Sequence, residues 1–599
     1  MSTEKYTHSL DKQDTPTETE HVEVLPIKSP NSDKYDNHEA TDLETGDGGA
    51  YSTVSLPYSI FPDCAMSDKI QHSLHFIMTV VGCSFALCGS QIFPLLYLTL
   101  TTTVAKELNA QSLTIWLFTA SYVAMGALAP FIGPLADLVG RKALFIIGLL
   151  VSVVGSIVCA VTPSAPGFIA GHILLGAGAV TQELLAIAVV AEIVPTSRRP
   201  LYAVITLCSI IPWSPGSLYA NWMAQVSWRW IGCALALWNA LTLAILMVFY
   251  RPPPRVNSLG LSRRELIARI DFVGGALLTT GLVFVLLALS WGGQQYAWTS
   301  AHVLSFLLLG FALMFVFVAW EFFGAKYPLF PRRMIKAPRP FFCMLFVIFA
   351  AGINYVPLVV FWPIEGIAVF GADHHKNGLY TLPIGICILG GAILSAFLLH
   401  VFKRHITMIM TTFCIMQTVA SASLAAIDPY NVATALPAIC FALLGVGGVL
   451  VPNQVIITVL TPPDLLASVT ALTVALRAQT QVIGLAIFYN RFVAKVTEGG
   501  YALVAPAMIK AGVYDPDVIF NLVEGMSAVP YSAIAKGIPE LMADPEAYKA
   551  VGEAALQSFA AAFKLIYYIT IAFGAPACVA AALMGDVGKY MDENVAVKL

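Results

Sequence analysis

From about residue 73 to residue 583 the chain alternates long apolar runs with short polar joints. Fourteen runs are long enough to cross a hydrocarbon layer about 30 Å thick, which takes about 20 residues of helix. They fall near residues 73–100, 112–135, 143–162, 168–193, 201–222, 230–250 and 272–291 (spans 1 to 7). The remainder are 302–322, 341–363, 377–400, 406–426, 433–458, 466–490 and 558–583 (spans 8 to 14). Lipid offers backbone groups no partner, so runs this long and this poor in charge predict spanning helices. The expected fold class is therefore an all-α polytopic membrane protein.

The joints set orientation. With a cytoplasmic N-terminus, the inner joints collect sixteen Lys and Arg residues, among them Arg141, Lys142, Arg251 and Arg339. The short outer joints hold only Lys106, Arg229 and Lys376, a positive-inside bias that predicts both termini in the cytoplasm. Residues 1–66 are polar and acidic and predict a disordered tail. No basic segment followed by an apolar core stands at Met1, so no cleavable signal is expected and span 1 directs insertion. Two joints are long. In 251–271 a Pro run precedes a capping box, Ser262 to Glu265, which predicts a short interfacial helix. Residues 491–557 are too polar to span and predict a folded outer cap, with Asp544 capping a helix that runs into span 14.

Composition narrows the classes further. The chain is 58% hydrophobic and 12% charged, with a net charge of −3 that gives nucleic acid no basic footprint. Its eleven cysteines are scattered without a C-x-x-C pair, most of them inside apolar runs as small core residues. Neither a disulfide framework nor a zinc site is suggested. No ligand-spaced cluster, G-x-S-x-G elbow or phosphate loop is present, so neither an enzyme nor a cofactor is expected.

The sharpest motif joins spans 2 and 3: Gly133-Pro134-Leu135-Ala136-Asp137-Leu138-Val139-Gly140-Arg141-Lys142. Two glycines allow a tight turn, Asp137 is placed to cap span 3, and Arg141 and Lys142 anchor the inner face. The segment resembles the signature loop of the major facilitator superfamily, departing at Leu138, where the family has a basic residue. Gly171 to Ala179 in span 4 resembles the family's R-x-x-x-G-x-G motif, with His172 in place of arginine. Pro212-Trp213-Ser214-Pro215-Gly216 in span 5 is a degenerate relative of an exporter motif. Trp228-Arg229-Trp230 and Pro328 to Arg333 are similar to fungal fourteen-helix drug:proton antiporters. Gln182-Glu183-Leu184-Leu185 with Ala191-Glu192-Ile193-Val194-Pro195 resembles fungal trichothecene efflux pumps and siderophore transporters.

This resemblance implies a 6 + 2 + 6 plan: a first bundle over 67–250, a linker with inserted spans 7 and 8 over 251–335, and a second bundle over 336–583. A short tail, 584–599, follows. Two pseudo-symmetric bundles would face each other across a midplane cavity lined by spans 1, 4, 9 and 12.

Polar residues within the spans support a cavity independently. Glu183 lies mid-span 4 with His172 three turns earlier on the same face, and a buried ionisable group in a membrane marks function by default. Glu183 is the expected proton-coupling residue, with His172 as relay or packing residue. Interhelical glue is the competing role for Glu183. Gln91, Gln182, Asn354, Tyr355, Asn453 and Gln454 are candidate cavity groups or interhelix hydrogen bonds. Arg477 in span 13 is assigned a conformational or pairing role at the seam, alongside Gly133, Asp137, Gly140, Arg141 and Lys142. Lys564 is expected to snorkel outward, and Glu321, Glu365 and Asp271 sit at span ends without a special role. Many fourteen-helix antiporters carry an acidic residue in helix 1. Here Cys88-Gly89-Ser90-Gln91 occupies that region, which leaves coupling to span 4.

The expected function is proton-coupled efflux of a small hydrophobic substrate, a fungal secondary metabolite or toxin, by a monomer in the plasma membrane. A vacuolar or vesicular membrane remains open. Proton-coupled uptake of ferric siderophores and a non-transporting nutrient sensor are the alternatives.

Overall fold

The computed structural model describes residues 73–110, 113–194, 199–252, 263–268, 270–293, 296–330, 335, 337–402, 405–461, 466–526 and 531–587. The N-terminal tail, Ser262 of the capping box, and Arg332, Arg333, Lys403 and Arg404 of the basic joints lie outside these residues. Thirteen described helical stretches are long and apolar enough to cross a bilayer, from Leu74–Leu98 to Pro545–Leu583. Several begin at a side-chain cap. Ser73 Oγ accepts from Phe76 N–H at 3.2 Å, Asp271 Oδ1 from Gly274 N–H at 2.8 Å, and Asp544 Oδ1 from Glu546 N–H at 2.9 Å.

Span 5 departs from the expected continuous helix. It runs as Arg199–Cys208, a tight turn at Ile211–Trp213, and Gly216–Val226. Pro212 and Pro215 lack the N–H groups that would carry the helix through. The broken segment still traverses the full depth. Arg229 at its far end donates to the carbonyls of Ala160 (3.1 Å) and Thr162 (2.5 Å), at the far end of span 3, whereas the segment begins beyond the opposite end of span 4.

Asp137 is the second departure. It lies in the last turn of Thr114–Val139 rather than at the start of span 3, and the cap of Arg141–Val161 is Gly140. Gly140 has φ 106°, open to glycine and strained for other residues, so the chain reverses there, three residues later than expected. A Cβ at Gly133 would meet nothing within 4 Å, so no close helix approach occurs at that glycine.

Helix pairings in the first half recur in the second. Span 3 packs on 4 and 6, and span 4 on 2; correspondingly span 11 packs on 12 and 14, and span 12 on 10. The halves meet along two seams, span 2 with span 13 and span 5 with span 10. Exchanging the halves exchanges the seams. Helix association in lipid relies on close packing and small residues, because lipid tails are as apolar as leucine. The glycines serve this: a Cβ at Gly176 would sit 2.2 Å from the Ser121 carbonyl, at Gly447 1.8 Å from that of Ile388, and at Gly385 1.7 Å from that of Ser214. Spans 7 and 8 pair with each other, and span 7 lies against spans 2 and 13. Span 8 leaves Leu308, Phe311 and Phe315 exposed at 67%, 55% and 76%, an apolar face suited to lipid.

Spans 13 and 14 continue past the bilayer as the helices Leu466–Gly499 and Pro545–Leu583. Short helices between them complete a folded cap around buried Leu522, Val523, Met526 and Leu541. Ser558 Oγ donates to the Val496 carbonyl at 3.0 Å and ties the two long helices together. One end of the molecule carries this cap and the other the basic turn at Arg141.

Two neighbouring glycines test the packing argument. A Cβ at Gly391 would lie 2.1 Å from the Leu444 carbonyl, whereas one at Gly390 meets only Leu444 Cδ2 at 3.8 Å. Gly391→Ala is expected to destabilise by about 1–3 kcal/mol through overpacking. Gly390→Ala is expected to be neutral or to stabilise by up to about 1 kcal/mol, since glycine costs a helix entropy. Thermal unfolding of the detergent-solubilised protein checks the ranking; equal melting temperatures would refute it.

Candidate functional site

Span 4 is one helix, Ala165–Ile193, with Pro166 in its first turn, where no N–H is missed. Gly171 and Gly178 seat it on span 3 and Gly176 seats it on span 2. Glu183, 5% exposed, reaches across to span 13. Its Oε1 accepts from Arg477 Nη2 at 2.7 Å, an ion pair between helices of opposite halves. The Arg477 side chain is 23% exposed and that of Glu183 7%. Buried Tyr122 of span 2 and half-buried Tyr355 of span 9 lie within electrostatic reach of the guanidinium. Glu183 Oε2 and both amide atoms of Gln479 are buried without a protein partner. Such atoms cost about 1–3 kcal/mol each when left unbonded, so the contact between the halves carries unmet hydrogen-bonding capacity.

The structure thus joins Glu183, Arg477 and Tyr355, three residues the sequence marked separately, and adds Tyr122, whose chain position gave no signal. His172 is not part of this group. Eleven residues of helix place it about 16 Å from Glu183 along the axis. It is 3% exposed among Phe93, Tyr97 and Phe168, with ring centroids at 5.4, 4.9 and 4.3 Å. Neither ring nitrogen has a protein partner, and the adjoining cavity of about 10 Å³ is at the lower limit for one water.

The remaining candidates divide. Gln182 Nε2 donates to Ser152 Oγ (2.7 Å) and Asn239 Oδ1 (3.0 Å), tying spans 3, 4 and 6 within the first half. Asn354 Nδ2 donates to the Thr570 carbonyl at 3.2 Å, within the second half. Asn453 is 5% exposed with Oδ1 unpartnered, and Gln91 is half-buried on span 1. The side chains of Gln454 and Asp137 lie outside the described ones. Arg141 Nη1 donates to the Ala188 carbonyl at 3.3 Å, and Lys142 Nζ to those of Met247 (3.0 Å) and Tyr250 (2.5 Å). The basic pair therefore binds carbonyls near the ends of spans 4 and 6, where cations are favoured.

Three carboxylates set aside at span ends have partners. Asp271, besides capping span 7, accepts from Trp320 Nε1 at 3.1 Å, and Glu321 accepts from the N–H groups of Leu329 and Phe330, both at 3.0 Å. Glu365 is 5% exposed and accepts from Tyr567 Oη. The sequence reading ended span 9 at residue 363, but helix continues to Ala368 and carries this carboxyl inside.

Residues 62–599 match the model of the fungal trichothecene efflux pump (TRI12) family, and the chain belongs to that family. Among curated relatives it is 27% identical over 333 residues to the efflux pump roqT of Penicillium rubens, covering 55% of this chain and 61% of that one. It is 31% identical over 299 residues to the MFS-type transporter TOXA of Cochliobolus carbonum, covering 49% and 54%. The chain thus spans about half to three-fifths of the length of these relatives. Among solved structures it resembles a bacterial homolog of the human lysosomal transporter Spinster, crystallised inward-facing and occupied. That likeness has a TM-score of 0.50 and 15% identity, and covers 84% of this chain and 96% of that one. The fold is that of the major facilitator superfamily.

The pair across the halves carries a quantitative expectation. Removing one partner of a buried ion pair leaves an uncompensated charge and costs about 3–5 kcal/mol, whereas replacing both with apolar residues is often neutral. Glu183→Leu and Arg477→Leu should each lower the melting temperature, and the double variant should recover most of the loss. Additive losses in the double variant would show that the two charges do not depend on each other.

Proposed function

We propose that this chain exports a small, largely apolar secondary metabolite across the fungal plasma membrane in exchange for protons. In this reading the basic end faces the cytoplasm, the cap faces outside, and a single chain alternates the access of the space between its halves. The observation that carries the proposal is the Glu183–Arg477 pair, which spans the two halves at 2.7 Å. An ion pair there is a latch with a titratable member. A proton arriving from outside neutralises Glu183, releases the guanidinium and weakens one contact that holds the halves together. Return of the proton to the cytoplasm restores the pair. A ligand can shift such an equilibrium only by its differential affinity for the two states, and a proton on Glu183 binds only where the pair is open.

The printed names of relatives support the direction. The Penicillium rubens relative is called an efflux pump, as is a rubrofusarin-specific pump of Gibberella zeae that is 25% identical over 298 residues. An apolar substrate suits a chamber whose charges are already paired, because an unpaired buried charge would oppose its binding. No observation favours siderophore uptake or a sensor role over export.

Transport of rhodamine 6G into inverted plasma-membrane vesicles with an imposed pH gradient tests the reading. The wild-type chain is expected to accumulate the dye when the lumen is acid and to stop when a protonophore is added. Glu183→Gln is expected to lower gradient-driven accumulation by on the order of tenfold or more, the scale of coupling free energies between linked sites. Undiminished accumulation in Glu183→Gln would remove Glu183 from the coupling step.

A further inference from the structure

A second buried carboxyl lies in the second half, on span 9. Glu365 follows Pro363 in the last helical segment of span 9, Trp362–Ala368, at the cap end of the second half. The preceding five residues, Pro357–Phe361, form a π-turn, a wider helical turn often found where function needs a side chain re-aimed. Glu365 accepts from Tyr567 Oη of span 14, and both residues are buried, at 5% and 0% exposed.

This carboxyl borders a side cavity. Glu365 and Val369 line a cavity of about 250 Å³ together with the 424–427 end of span 11 and Ala560, Ala561 and Lys564 of span 14. The Lys564 side chain is exposed, with Nζ 5.9 Å from the Tyr568 ring centre, as a snorkelling lysine is expected to be. The cavity is smaller than the roughly 300–1,000 Å³ of pockets that enclose drug-sized ligands. It is ample for several waters at roughly 30 Å³ each. A divalent cation would find one carboxylate and a lysine, a poor donor set for a hard metal that takes six or more oxygens. Water and protons are the occupants that fit.

We propose that Glu365 is a proton-accepting site, separate from the Glu183–Arg477 pair, that exchanges with the medium at the cap end through this side cavity. Tyr567 is its hydrogen-bond partner and Lys564 stands at the mouth. The other titratable groups of the packed elements are few. The helix His374–Thr381, which packs on the same turn, carries His374, His375, Lys376 and Tyr380. The end of span 11 leads to Asp428, whose carboxylate is engaged by the Tyr430 N–H at 3.0 Å. The Pro357–Phe361 turn carries no titratable group. The site deepens the proton-exchange reading by giving an external proton a route to the second half that does not cross the substrate space.

The test reads the carboxyl directly, without a substrate. Infrared difference spectra of the full chain in lipid, taken across a pH titration, should show a protonated-carboxyl band that Glu365→Gln lacks and Glu183→Gln retains. Tyr567→Phe should shift that band's frequency by removing the partner hydroxyl, which keeps the test open if Glu365→Gln folds poorly. In Ala561→Cys, a membrane-impermeant methanethiosulfonate reagent added from the cap side should modify the thiol and slow the band's response to a pH jump. A titration identical in wild type and Glu365→Gln, or a response indifferent to modification at residue 561, would overturn the proposal. Failure of wild-type vesicles to couple dye transport to a pH gradient would instead sink the export reading, while the Glu365 band would remain.

Discussion

In a bilayer, helices gain nothing from hiding apolar surface from their apolar surroundings, so their association rests on how closely backbones can approach. That constraint organises this molecule. Glycines at 155, 171, 176 and 178 in the first half, and at 391, 445, 447 and 448 in the second, stand where a Cβ would strike a neighbouring helix within 3 Å. These contacts fix which helices pair, and the pairings repeat between halves. Each half is a tightly seated bundle that can move as a unit.

Polar groups take on a different weight against this background. Within a half they reinforce what glycine packing already sets, as Gln182 does between Ser152 and Asn239, or Asn354 with the Thr570 carbonyl. Between halves, most contact runs along two seams, and beside one of them a single ion pair joins span 4 to span 13. Glu183 and Arg477 belong to opposite halves, so neutralising one member removes a contact between the bundles rather than one within a bundle.

The spans were legible because a run of some twenty apolar residues has no other stable form in lipid. Cap residues were legible at Asp544 for the same local reason. What failed was anything set by backbone detail or by distant partners. Asp137 was read as the start of span 3, but the reversal falls three residues later at Gly140, one of the two glycines expected to allow the turn, which takes the positive φ. Span 9 was expected to end at residue 363, yet after the wide turn at Pro357–Phe361 the helix continues past Glu365 to Ala368. The pairing of Glu183 with Arg477 joins residues 294 apart, and nothing local in either span records it. His172 was expected on the face of Glu183, and its aromatic surroundings come from span 1 and from an earlier turn of its own helix.

The two seams are related by exchange of the halves but are not built alike. Span 2 and span 13 are unbroken at their contact, and span 7 braces them from the side, with Gly275 against the Phe131 ring and Thr279 Oγ1 donating to the Ala127 carbonyl at 3.3 Å. Span 5, by contrast, is interrupted at Pro212 and Pro215 just where Gly385 of span 10 presses on the Ser214 carbonyl. A helix missing backbone hydrogen bonds bends at that point more easily than a continuous one. Span 2 also carries prolines, Pro130 and Pro134, but its helix stays continuous from Thr114 to Val139 with span 7 packed beside it. The two seams therefore differ in continuity: one is a pair of unbroken helices with a third helix against them, the other a helix interrupted at its contact.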